Sequence, residues 1–160
     1  MTQAVHGTFT LERVYDATPA RVFSAFADPA TKARWFRGPM GWEEIRRELD
    51  FRPGGEEIAQ GRFPHGLETL FKAHYHEIVP DQRVVYAYDM YLNGAFVSVS
   101  LVTVELIAEN EKTRLRFTEQ GVYLDGDGTA NEHRREGTQF GLEQIAAFLP
   151  CEAGEVADGA

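Results

Sequence analysis

The residues that could do chemistry in this chain fall into three groups. In His74-Tyr75-His76, two imidazoles stand two positions apart, which on a β-strand puts both on one face, as a metal site or a proton switch would need. The same period assigns Glu68 and Lys72 to that face and Phe71, Ala73 and Tyr75 to the other. The histidines are therefore expected to point to water. Zinc needs at least a third protein ligand, and none stands at a suitable spacing, so no metal ligand is assigned.

The second group centres on Glu119. Thr113, Leu115, Phe117 and Glu119 alternate with Arg114 and Arg116, which puts a carboxylate at the end of an inward apolar row. Such a group must be paired, hydrated or protonated, because burying it alone is expensive. Arg13, on the inward face of the first strand, is the expected partner. Arg13–Glu119 then reads as a structural ion pair closing the sheet. Alternatively, Glu119 is a polar anchor for a ligand's head group, or an acid–base residue.

The third group is aromatic. Phe71, Tyr75, Tyr86, Tyr88 and Phe117 fall on the inward faces of successive strand patterns, Trp35-Phe36 closes a helical segment, and Phe140 lies on the last helix. Gly137 and Gly141, one helical turn apart, either let that helix approach the sheet or leave space beneath it. With Glu119, these ten residues are the candidate lining of a small-molecule site, because an aromatic concavity with a few hydroxyls is what such a site requires. A core filled by the same rings is the competing reading. Tyr86, Tyr88 or Glu119 could serve as acid–base groups in a cyclase, dehydratase or hydrolase. The chain nevertheless has no G-x-S-x-G, P-loop, strand-following G-x-G-x-x-G or H-E-x-x-H pattern. No catalytic residue is assigned, no cofactor is expected, and a non-enzymatic binding module is the favoured reading.

The elements that must position these groups are legible in order. Phe9, Leu11, Arg13 and Tyr15 alternate along a first strand. Thr18-Pro19 and Asp28-Pro29 each pair an N-cap with a proline at the first helical position, opening two short helices that end at Gly38-Pro39. Six strand patterns follow: Trp42 to Phe51 (with Ile45, Leu49 and Phe51 on one face), Glu56 to Phe63, Leu67 to Val79, Arg83 to Leu92, Ala95 to Ala108 and Lys112 to Tyr123. Turn sequences separate them, Asn93-Gly94 the strongest. Asp125-Gly126-Asp127-Gly128 reads as a turn and helix cap. From Thr129 to Leu149 one long helix carries Gly141, Leu142, Ile145, Phe148 and Leu149 at i, i+3, i+4 spacing. Residues 150–160, acidic and aperiodic, are expected to be a disordered tail. The class is α+β: one strand, two short helices, a six-stranded antiparallel meander and a terminal helix covering the sheet, as a single domain over residues 7–149.

With 160 residues, 16 Lys+Arg against 25 Asp+Glu and a net charge of -9, the chain is predicted to avoid nucleic acid and anionic membrane surfaces. A single cysteine, Cys151, allows no internal disulfide. Without a signal-peptide pattern or an apolar run of spanning length, a cytoplasmic monomer or homodimer is expected.

Beyond periodicity, a series of motifs recurs in order: Thr18-Pro19, Val22-Phe23, Asp28-Pro29, Trp35-Phe36, Gly38-Pro39, Asp50-Phe-Arg-Pro-Gly-Gly55, Pro80-x-x-Arg83-Val-Val-Tyr86, Phe117-Thr-Glu-Gln-Gly121 and Arg135-Glu-Gly-Thr138. Together they resemble the bacterial homologues of the heat-shock-protein ATPase activator's C-terminal domain, within the SRPBCC (START-like) superfamily. The resemblance covers about residues 8–149. It implies the helix-grip fold and a hydrophobic small molecule held between sheet and helix. It also implies a chaperone ATPase as an alternative partner, although the eukaryotic activators carry a further N-terminal domain.

Overall fold

The computed structural model describes residues 3–126 and 128–158. Strand β1 (Val5–Tyr15) is followed by α1 (Pro19–Ala27) and α2 (Pro29–Trp35). Then come β2 (Glu43–Leu49), β3 (Glu56–Arg62), β4 (Glu68–Val79), β5 (Arg83–Leu92), β6 (Ala95–Glu109), β7 (Lys112–Tyr123) and α3 (Ala130–Asp158). The strands form one antiparallel sheet in the order β1-β7-β6-β5-β4-β3-β2, and α3 packs on it beside β1 and β7. This is the helix-grip arrangement: β1 returns to pair with the last strand, and consecutive hairpins supply the remainder.

Local chemistry explains the boundaries. Asp28 Oδ2 accepts from the Thr31 amide at 2.9 Å and from its hydroxyl at 2.7 Å, which fixes the start of α2. Thr18 caps α1 in the same way, with Pro19 at its first position. At the β5–β6 hairpin Asn93 and Gly94 both take positive φ (49° and 82°), as a tight turn matching strand twist demands. Gly61 is required for a different reason: the Trp42 indole lies directly on its α-carbon, where a Cβ would collide.

Two expectations change. Ile45 is exposed, not inward with Leu49 and Phe51, because a register shift between Glu44 and Arg46 breaks the alternation of β2. The backbone of 150–158 is helical, so α3 runs past the expected end at Leu149 to Asp158. The last two residues of the expected tail, and Asp127 in the expected cap, lie outside the described residues. No described helix is long and apolar enough to cross a membrane.

The core holds one ion pair that periodicity alone did not mark. Lys32 Nζ lies 3.0 Å from Glu57 Oε1, with side-chain exposures of 4% and 1%. Tyr75 donates to the same oxygen at 2.6 Å. The Lys32 ammonium also rests over the rings of Phe36, Trp35 and Phe26, at 4.7, 5.6 and 6.0 Å. This cluster pins α2 to β3 and so holds Trp35 and Phe36 in place. Neither charge can be removed alone without stranding the other. Glu57→Ala should cost about 3–5 kcal/mol in urea denaturation, and Lys32→Met with Glu57→Leu much less. A loss below about 1 kcal/mol for the single change would show that the pair does not stabilise the fold.

Candidate functional site

The face of the sheet beneath α3 carries alternate residues of β4 to β7, and the opposing face of α3 is set by its apolar stripe. Leu142, Ile145 and Leu149 are buried, which turns Arg134, Gly137, Thr138 and Gly141 toward the sheet. At Gly137 a Cβ would meet nothing within 4 Å. The sheet and helix therefore part there, leaving a cavity of about 590 Å³. Gly141, by contrast, sits in ordinary contact with the Trp35 ring, 3.5 Å from where its Cβ would lie.

Of the sequence-predicted lining, Trp35, Phe36, Phe71, Tyr86, Tyr88, Phe117, Glu119, Gly137 and Gly141 surround this space. Their rings form a connected wall: Phe36 meets Phe71 edge-on at 4.7 Å, and Phe71 lies 4.6 Å from Tyr88, which neighbours Tyr86 at 6.2 Å. Two predicted residues are elsewhere. Phe140 is 51% exposed, because a position adjacent to Gly141 is rotated by about 100° from the sheet-facing stripe. Tyr75 is buried at Glu57 and does not reach the cavity. Residues outside the expected lining, Trp42, Met90, Leu92, Val97, His133 and Arg134 among them, complete it, Met90 sharing the face of Tyr86 and Tyr88. Arg134 could have been found by stepping one helical turn back from Gly137 and Thr138.

Glu119 is 1% exposed, as an inward carboxylate at the end of an apolar row should be. Its partner, however, is not Arg13. The β1–β7 register sets Glu119 opposite Phe9 and Arg13 opposite Leu115, four residues along the strand. At about 3.4 Å per residue that separates the two by more than 10 Å. Arg13 instead pairs with Glu143 on α3, at 2.8 Å. Glu119 Oε2 accepts from the Tyr88 hydroxyl at 2.6 Å and lies 3.5 Å from Arg134 Nη1. The same Nη1 donates to Tyr88 Oη at 2.7 Å, and Nη2 donates to Ser98 Oγ at 2.9 Å. The Arg134 guanidinium is stacked between the rings of Tyr123 and Tyr88, 5.2 and 5.5 Å from their centroids.

Electrostatics at this end of the cavity follow from dryness. Burial raises the Glu119 carboxyl above its ordinary value, while the Tyr88 hydrogen bond and the Arg134 charge pull the other way. Burial and the neighbouring Glu119 together raise the Tyr88 hydroxyl. Tyr86 is raised by burial and by the neighbouring Tyr88, Glu119 and Glu57. The arrangement offers a polar, charge-balanced patch at the end of an apolar chamber. It can orient a bound molecule by hydrogen bonding. His74 and His76 lie elsewhere, exposed, with their rings 4.8 Å apart; among the described residues no cluster of three or more His, Cys, Asp or Glu side chains could hold a metal ion.

Because Glu119 is raised when folded, the unfolded chain ionises first as pH rises from the ordinary value of 4.5, and stability contributed by the neutral form is lost through the folded pKa. Glu119→Gln removes that dependence. Urea denaturation from about pH 4 to about pH 8 should show the variant gaining on the wild type as pH rises. A pH-independent difference would mean that Glu119 does not titrate above its unfolded range.

Comparison with known proteins adds family to geometry. Residues 16–150 match the family described as Activator of Hsp90 ATPase homolog 1-like protein. Among solved structures, an uncharacterized protein from Rhizobium leguminosarum is 41% identical, with a TM-score of 0.87 over 94% of this chain and 98% of that one. A protein from Rhizobium loti is 43% identical, with a TM-score of 0.83 over 91% of this chain and 98% of that one. An AHSA1 protein from Silicibacter pomeroyi, 21% identical with a TM-score of 0.75 over 91% and 99% of the two chains, shares the fold. No relative is found among curated proteins.

Proposed function

The chain belongs to the family of Activator of Hsp90 ATPase homolog 1-like proteins, and from that premise we propose that it binds a hydrophobic small molecule in the cavity between α3 and the sheet. The observation that carries this reading is the space itself. A helix and sheet that only had to be stable would close on each other, since a gap between them forfeits packing contacts. Here about 590 Å³ stays open between aromatic walls, directly beneath a helix position that carries no side chain. That volume lies within the range of small-molecule sites and equals about twenty waters of liquid. Trp35 and Trp42 both line it, so the protein carries its own optical reporters. A role in stimulating a chaperone ATPase draws on the family description and on nothing in the cavity.

Gly137 makes the reading testable without damage to the fold. Gly137→Leu would project an isobutyl group into empty space and remove a helix-interior glycine, so stability should hold or rise by about 0.5–1 kcal/mol. N-phenyl-1-naphthylamine, a neutral fluorescent probe, should bind the wild type saturably at one site, with energy transfer from the tryptophans. It should bind Gly137→Leu at least about tenfold more weakly, since overpacking excludes a ring. Absence of saturable binding to the wild type, or equal binding to a well-folded Gly137→Leu, would refute the cavity as the site.

A further inference from the structure

Hydrogen-bond accounting at the polar end of the cavity narrows what the occupant can be, given the binding reading above. Tyr88 is fully engaged, donating to Glu119 and accepting from Arg134. Arg134 is committed to Tyr88, Glu119 and Ser98. Tyr86 differs. It is 6% exposed and lines the cavity, yet among the described residues its hydroxyl has no hydrogen-bond partner, only ring contacts with Tyr75 and Tyr88. The hydroxyl is not one of the fully buried side-chain atoms that lack a partner, so it meets the open space of the cavity, where a ligand can reach it. Glu119 also lines the cavity; Tyr88 and Arg134 both reach its Oε2, and the buried Ser100 hydroxyl, with no other partner, stands beside the same carboxyl.

We propose that the natural occupant is an uncharged, ring-bearing compound carrying a hydroxyl group, which Tyr86 and Glu119 read at the polar end of the cavity. A hydroxyl suits this pair because it is donor and acceptor at once: it donates to the Glu119 carboxylate and accepts from Tyr86. A carboxylate head group fits poorly, because it would stand beside the buried Glu119, whose charge already takes up that of Arg134. A bare hydrocarbon fits the walls but leaves the Tyr86 hydroxyl unsatisfied. The broad rings of Phe71, Phe117 and Tyr88 supply stacking faces for a flat body.

Three isosteric probes separate these cases: 4-cyclohexylphenol, cyclohexylbenzene and 4-cyclohexylbenzoate, each competing with N-phenyl-1-naphthylamine. The phenol should bind the wild type roughly five- to tenfold more tightly than the hydrocarbon, the worth of one buried hydrogen bond, and the benzoate most weakly. Tyr86→Phe should abolish the preference for the phenol while binding cyclohexylbenzene at least as tightly as the wild type does, which also shows that the variant is folded. Equal binding of phenol and hydrocarbon to the wild type, a preference that survives in Tyr86→Phe, or tightest binding by the benzoate would each overturn this assignment while the cavity reading stands. Failure of every probe, N-phenyl-1-naphthylamine included, would remove the cavity reading and this assignment with it.

Discussion

A carboxylate with almost no contact with water has to be solvated by the protein, and around Glu119 that requirement joins the two layers of the fold. Tyr88 reaches it from the sheet and Arg134 from the helix, each also bonded to the other. The guanidinium lies partly buried over two tyrosine rings, so the carboxylate gains a close positive charge while the arginine keeps some contact with water. The consequence is geometric. α3 is tied to the sheet at Arg134 by a polar knot and clamped further along by Leu142, Ile145 and Leu149 in the core. Between these two attachments the helix passes over the aromatic face at Gly137 without filling the gap. The cavity exists because the helix is fixed at both ends of the interval and bare in the middle.

The second buried charge pair plays the corresponding part at the opposite wall. Lys32 and Glu57, joined by Tyr75, fix the short helix that ends in Trp35. Its indole donates to the Ala25 carbonyl at 2.7 Å, and the Phe36 carbonyl receives Arg47 Nη2 at 2.8 Å. With the Trp35 ring held at its edge and the Phe36 main chain held beside it, this wall resists collapse into the chamber. Two ionic clusters, one fully buried and one reached by water at Arg134, therefore bracket one apolar chamber, and the tyrosines of β4 and β5 run between them.

The element order, the turns and nearly every strand boundary were legible because each rests on local chemistry: prolines after cap residues, Asn93-Gly94, and alternation over long strands. The inward aromatics of β4, β5 and β7 followed from the same alternation. What escaped required knowing how elements meet. Arg13 and Glu119 both face inward, but only the β1–β7 register shows that they are four residues apart. Phe140 and Gly141 are neighbours, and a single step of helical phase decides which meets the sheet. Lys32 reads as an ordinary helix-surface lysine until the face bearing Trp35 and Phe36 is known to be buried. Glu57 reads as a solvated strand residue until Ala59 is set against Phe71. Charged residues mislead such readings because alternation assigns a face, whereas burial of a charge depends on a partner from another element.

The placement of charge then bears on what the chamber can hold. The chain carries a net charge of -9, yet each buried acid in the two clusters is matched by a base: Glu57 by the buried Lys32 and Glu119 by the partly buried Arg134. The surplus of acid is thus carried outside these clusters, where water screens it. At the Glu119 end the pairing leaves no unmatched charge to attract a charged guest, and the aromatic walls there would penalise one. Selection among neutral molecules must then come from shape and from whichever polar atoms the protein leaves unpaired. Removing Tyr86 from the hydrogen-bond economy of the fold is what makes it available to a ligand, just as removing a side chain at position 137 makes the space available.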